Sequence, residues 1–180
     1  MARRRCVDAF ARQYPAIGLD LFIAEGSLDG RWEIPDGPRV YRFDIDPQTC
    51  LFAKENLLNL AIDRLPDRYE SVLWIDADVL LLQHDFADRL VDALHRHVVV
   101  QAFRRLMYLN SDGAPQLAWR QSVAARNIEN GTRSADPRQA FPGLAWAARR
   151  ELLARVDGLY DRVIIGGDYM LCYSSSGNQR

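Results

Sequence analysis

The segment Ser71-Val72-Leu73-Trp74-Ile75, ending in Asp76-Ala77-Asp78, constrains this chain more than any other. The run is of strand length, and apolar side chains at both alternate sets of positions need cover on both faces of a sheet. It reads as a central strand. In extended backbone, residues i and i+2 point the same way, which would set the carboxylates of Asp76 and Asp78 side by side. Two acids directly behind an apolar strand cost desolvation unless something binds them. A hard divalent cation such as Mn or Mg relieves their repulsion and keeps coordination positions for water and phosphate oxygens. For an isolated Asp-x-Asp the ordinary reading is a turn cap and a solvated acid; the strand in front of this pair favours the metal.

The rest of the chain alternates strand and helix signals. Arg3 to Tyr14 carries Val7, Phe10, Ala11 and Tyr14 at helical spacing before Pro15. Leu19 to Ala24 and Val40 to Phe43 read as strands around a Gly- and Pro-rich loop. Asp46-Pro47 has the form of an N-cap and first-turn proline opening a helix to about Arg64. Asp85 is placed to cap a helix through Leu94, and Val98 to Phe103 reads as a strand. A helix is expected around Leu117 to Arg126, then a mobile polar loop over Asn127 to Gln139. Gly143 to Ala147 reads as a strand, Arg149 to Val156 as a helix, and Gly166-Gly167 as the opening of a last helix carrying Asp168. Alternation of this kind predicts one α/β domain over residues 1–180, with a mostly parallel sheet and helices on both faces. Ligands of such sheets gather at the carboxyl ends of the strands, where Glu25, Asp76 and Gln101 are expected.

Charge excludes some functions. With 23 Lys plus Arg against 24 Asp plus Glu, the net charge of -1 provides no field that would gather nucleic acid. Three scattered cysteines, Cys6, Cys50 and Cys172, lack metal-site spacing and read as buried thiols of a reducing, cytoplasmic compartment. The longest strongly apolar run, Val79 to Leu82, is far short of the roughly 20 residues that span a bilayer, so membrane association is at most peripheral.

Three further groups carry candidate chemistry. On the helix after Pro47, Leu51, Leu58, Ala61, Ile62 and Leu65 form one stripe, and Lys54 falls inside it. Such a lysine either snorkels to the rim or meets an acid or phosphate there. Glu55 and Asn59 are surface neighbours at its edge. In Gly166-Gly167-Asp168, two permissive residues let backbone approach a ligand, and Asp168 is either an ordinary N-cap or a general base for a hydroxyl proton. Trp146 is a sugar-stacking platform or a core residue.

Two blocks together resemble a GT-A-fold glycosyltransferase. The first runs from Lys54-Glu55-Asn56-Leu57-Leu58-Asn59 to Leu73-Trp74-Ile75-Asp76-Ala77-Asp78. The second is Phe141-Pro142-Gly143-Leu144-Ala145-Trp146 through Leu153, with Val156 to Asp161 and Gly166-Gly167-Asp168. Their order and spacing make the likeness more specific than an Asp-x-Asp alone. The resemblance implies a GT-A-like fold and a metal-dependent transfer of a sugar from a nucleotide-diphosphate donor to the hydroxyl of a carbohydrate or other acceptor. It implies Asp76 and Asp78 at the metal and ribose-diphosphate, Lys54 and Asn59 on the nucleotide side, and Asp168 as the base at the acceptor hydroxyl. Glu25, Glu55, Gln101, Gly143, Trp146, Gly166 and Gly167 complete the expected substrate-binding set. The chain departs from the family in starting with a helix where the fold starts with a central strand, which implies either truncation at the N-terminus or another segment in that strand's place. A haloacid-dehalogenase-type phosphatase also carries Asp-x-Asp behind an apolar strand, but with a small turn sequence where this chain has Val79 to Leu82. A catalytically inactive binding domain on the same scaffold is the third reading.

Overall fold

The computed structural model describes residue 8 and residues 12–48, 54–110, 112–133, 140–162 and 168. The elements in chain order are β1 (Ile23–Ser27), β2 (Val40–Asp44), α1 (Lys54–Asp63), β3 (Ser71–Ile75), α2 (Phe86–Arg96), β4 (Val99–Gln101), β5 (Arg105–Leu109), β6 (Pro115–Gln121), α3 (Val123–Asn130), β7 (Ala145–Arg149) and α4 (Arg150–Arg155). The fold is mixed α/β with small sheets. Cys6, Cys50, Cys172, Gly166 and Gly167, and most of the helix expected over Arg3 to Tyr14, lie outside the described residues; residues 12–16 are helical.

The mostly parallel sheet is not what forms. β1 and β2 are parallel, but β7 pairs antiparallel with both β3 and β4, and β5 with β6. β3 is consequently an edge of its sheet, and β7 is the middle strand in the order β3-β7-β4. The physical reason is an insertion. β3 and β4, joined through α2, run the same way as expected of a crossover, since each opposes β7. The later strand then lies down between them.

The apolar run of β3 nonetheless has both faces covered. Val72 and Trp74 join a core cluster with Ile62, Trp146, Leu153 and Leu159, while Leu73 and Ile75 pack toward Leu90, Leu94 and Ala147. Trp74 stands directly across from Trp146 in the β3–β7 register. A third cluster of Tyr14, Ile17, Val79 and Leu81 fastens residues 12–16 to the segment after β3. There the Gln13 side-chain amide donates to the Leu81 carbonyl and accepts from the Leu81 N–H.

Several local expectations shift for identifiable reasons. Residues 47–48 form a turn rather than the first turn of α1, with the Asp46 carboxylate accepting from Gln48 N–H at 2.9 Å. Asp85 occupies the N-cap position of α2 but makes no side-chain cap bond, because its carboxylate pairs with Arg89 at 2.6 Å. The helix expected from Leu117 is instead the second strand of a hairpin. Its turn is closed by Gly113 N–H to the Asn110 carbonyl, 2.9 Å, with Gly113 at φ 83°, the left-handed backbone an Asp-Gly pair supplies readily. Ser122, not Leu117, starts the following helix, its hydroxyl accepting from Ala125 N–H. That helix, α3, takes in residues 127–130 of the expected mobile loop and ends on Gly131 at φ 61°. Among the described residues, no helix is long and apolar enough to cross a membrane.

Gln101, expected at the ligand, is instead a buried staple. Its amide nitrogen donates to the carbonyls of Phe141 and Pro142, 2.9 Å each, and its oxygen accepts from Ala124 N–H at 2.9 Å. One side chain therefore joins β4, α3 and the approach to β7. Replacing it by Leu leaves the Ala124 N–H without its acceptor and takes one donor from each of the Phe141 and Pro142 carbonyls, which keep Val123 N–H and the Trp146 indole N–H, and a buried unpaired group costs about 1–3 kcal/mol. Gln101→Leu should lower the urea unfolding free energy by at least about 1 kcal/mol by that reckoning; an unchanged midpoint would show that the staple is dispensable.

Candidate functional site

Lys54 opens α1, Asp76 follows the last residue of β3, and Asp168 belongs to a helical residue far along the chain. The fold brings the three together. Lys54 Nζ lies 2.6 Å from Asp76 Oδ1 and 3.4 Å from Asp168 Oδ2. The side chains are 23%, 34% and 24% exposed respectively, so the cluster is partly buried yet open to solvent. Of the two fates open to a lysine inside the apolar stripe of α1, the structure takes the second: it meets acids.

Backbone holds Asp76 in place. Its N–H donates to the Leu144 carbonyl at 2.9 Å, and its own carbonyl accepts from Val79 N–H at 3.3 Å. Leu144 sits at φ 83°, a conformation costly for a residue with a Cβ and one that collects at functional sites. No periodicity flags such a residue, so sequence reasoning passes over it. The chain thus turns at Ala77-Asp78 instead of remaining extended. Alternation no longer places Asp78 beside Asp76. Asp78 is exposed and without a hydrogen bond or ion pair among the described residues.

Gly143 and Asp168 explain one another. A Cβ on Gly143 would stand 2.7 Å from Asp168 Oδ2, so only glycine leaves room for that carboxylate. Glu55, one residue beyond Lys54, is buried in the same neighbourhood.

The electrostatics follow from one ammonium among several acids. Burial pushes the Asp168 carboxyl above its ordinary value, with Lys54 pulling it down and Asp76 adding to the rise. Burial likewise raises Glu55, against its own backbone hydrogen bond and Lys54. For Lys54 burial disfavours the charge, but the hydrogen bond to Asp76 and the charge of Asp168 outweigh it, so the ammonium is held above the usual lysine range. The sign for stability is the same in each case: a raised group stabilises the fold below its unfolded value and loses that contribution as pH climbs through the folded one. For Lys54 this loss lies on the alkaline side of its ordinary value; for Asp168 and Glu55 it lies above the ordinary carboxylate value.

Other expected site residues serve the scaffold. Asn59 clasps the backbone of Leu159, donating to its carbonyl at 2.9 Å and accepting from its N–H at 2.7 Å. Glu25 lies mid-strand and accepts from Glu33 and Ile34 N–H, 2.6 and 3.0 Å, organising the loop after β1. Trp146 is buried, its indole N–H donating to Pro142 at 2.8 Å. The site that remains is Lys54, Glu55, Asp76, Gly143 and Asp168, with Asp78 on the adjoining turn.

These residues fit a divalent ion poorly. The inner oxygen of Asp76 is already bonded to an ammonium, and no three His, Cys, Asp or Glu among the described residues gather at one point. Compared with protein-family models, curated proteins and solved structures, the chain matches none.

Because Lys54 is the cation that draws Asp168 downward, Lys54→Met should move the carboxyl titration of Asp168 to still higher pH, read by carbon NMR of labelled aspartate side chains. An unmoved Asp168 titration would mean the two charges do not communicate.

Proposed function

We propose that this chain is the core of a nucleotide-sugar-dependent glycosyltransferase of the GT-A kind, acting in the cytoplasm on the hydroxyl of a carbohydrate or other acceptor. The observation that carries the reading is the convergence of Lys54, Asp76 and Asp168 beyond the end of β3, because it joins the two sequence blocks on which the family likeness rests. A general base works best with an affinity for protons lifted toward the operating pH, and Asp168 is lifted by burial.

In the proposed transfer, Asp168 takes the proton of the acceptor hydroxyl. The freed oxygen bonds to the anomeric carbon of the donor, the bond from that carbon to the diphosphate breaks, and the diphosphate leaves with the electron pair. Lys54 is the cation of this cluster, and turning its ammonium from Asp76 toward the developing negative charge is the stabilisation the described residues offer. Asp76 holds Lys54 ready, and the unpaired Asp78 faces the donor. Mn or Mg, implied by the family likeness, enters only as one arm of the test, and no step here runs through it.

The test is calorimetric titration of nucleoside diphosphates with and without Mn or Mg, beside turnover of a panel of nucleotide sugars. A diphosphate should bind and at least one nucleotide sugar should turn over; hydrolysis of a generic aryl phosphate with neither would favour the phosphatase reading. Asp168→Asn should cut turnover by roughly 10²–10⁴-fold, the range typical of a lost general base, with diphosphate affinity little changed. Equal losses in both would contradict a base role. Gly143→Ala, which forces Asp168 Oδ2 out of its position, should also depress turnover while leaving the unfolding midpoint near that of the parent. Full activity in that variant would remove Asp168 from the reacting centre.

A further inference from the structure

Every backbone carbonyl from Phe141 to Ala145, the segment leading into β7, is paired. Phe141 accepts from Val123 N–H and Gln101, Pro142 from Gln101 and the Trp146 indole, and Gly143 from Ala145 N–H. Leu144 accepts from Asp76 N–H and Ala145 from Ala102 N–H. The donors are not all used. Phe141 N–H goes to Gln121, Ala145 N–H to Gly143, and proline has none. The N–H groups of Gly143 and Leu144 meet no acceptor among the described residues.

The register shows why Leu144 is left over. Ile75 stands across from Ala145, so the next pair along the ladder is Asp76 with Leu144. Even-numbered residues of β3 bond to β7, as the Arg150 N–H to Glu70 bond does at the far end, and such an antiparallel pair exchanges two bonds. Here only one is made. Asp76 N–H reaches the Leu144 carbonyl at 2.9 Å, but the Asp76 carbonyl accepts from Val79 N–H instead. Leu144, at φ 83° with Ala145 N–H 3.3 Å from the Gly143 carbonyl, is the centre of a γ-turn of the rare, strained hand, and its N–H is swung out of the ladder.

Backbone N–H groups of buried residues are almost always paired, and Gly143 is buried and Leu144 half-buried. What lies beside them is a carboxylate. Asp168 Oδ2 sits where a Cβ on Gly143 would be 2.7 Å away, and its hydrogen bond is with Lys54, not with either amide. An anion would accept from the amides but meet the charge of Asp168. A hydroxyl is acceptor and donor at once, and suits both.

We propose that the amides of Gly143 and Leu144 form, with Asp168, a subsite for an uncharged sugar. Hydroxyl oxygens of the sugar accept from the two N–H groups, and one hydroxyl proton points to Asp168. The inference rests on the transferase reading and narrows it: the acceptor is a neutral carbohydrate, not a phosphorylated or acidic one. The strain at Leu144 then has a use, since backbone relaxed to strand values would return this N–H to β3.

Proton–nitrogen NMR of the 180-residue chain, with amide exchange, tests this. In the free chain Leu144 should exchange at close to an unprotected rate, unlike Trp74, whose N–H pairs with β7. The probes are the methyl glycosides of glucose, galactose and mannose; the control arms are inorganic pyrophosphate and cyclohexanol. At least one glycoside should shift both the Gly143 and Leu144 signals and slow Leu144 exchange by about tenfold or more, while the controls do neither. Asp168→Ala should weaken that glycoside by about tenfold or more, the loss expected for a hydrogen bond to a charged group. Slow exchange of Leu144 without ligand, silence with all three glycosides, or equal protection by pyrophosphate or cyclohexanol would overturn the proposal. Turnover of a nucleotide sugar with these amides silent would sink the subsite alone, whereas a glycoside response without turnover would support the subsite and count against the transferase.

Discussion

One ammonium held between two carboxylates is the constraint around which the candidate site is built. Lys54, Asp76 and Asp168 come from three distant stretches, and in partial burial each opposite charge offsets part of the desolvation of the other. Their meeting fixes the start of α1 against the end of β3. It also explains the glycine at Gly143, where any side chain would displace Asp168, and the left-handed Leu144, whose carbonyl positions Asp76. Farther along α1, Asn59 grips Leu159 so closely that a Cβ on Gly158 would stand 2.7 Å from its Oδ1, and that grip anchors the segment leading toward Asp168.

Features with a strong period were legible in the sequence. Ser71 to Ile75, the helix after Asp85 and the helix after Arg149 were each readable from apolar spacing, and the structure forms them within a residue or two. The order of strands was not legible. Alternation of strand and helix correctly gives β3 and β4 a common direction, but it carries no information about a later strand, and β7 enters between them from the far end of the chain. The hairpin was misread because Leu117 to Arg126 has helix-compatible spacing, while the decisive signal was the short Asp112-Gly113 turn.

The site was legible by half. Lys54 stood out as a cation in an apolar stripe and Asp168 as an acid behind glycines; that they share a partner in Asp76 is a tertiary fact. The i, i+2 reasoning for Asp76 and Asp78 presumes extended backbone, whereas β3 stops at Ile75 and the chain turns at once. Gln101 and Asn59 carry amides whose destinations, the backbones of Phe141, Pro142 and Ala124 and of Leu159, are distant in sequence and invisible to local patterns. Asp76 follows a strand that pairs on one side only, with β7, and its own backbone is held by the Leu144 carbonyl and the Val79 N–H.

The most direct measurement is a double-mutant cycle on Lys54→Met and Asp76→Asn, followed by urea unfolding at neutral pH. If the ammonium and carboxylate are held together as described, the paired substitution should fall short of the sum of the single ones by about 0.5–3 kcal/mol, the range for side chains in direct contact. Additivity within about 0.3 kcal/mol, as for residues that never meet, would contradict the bridge on which the site rests.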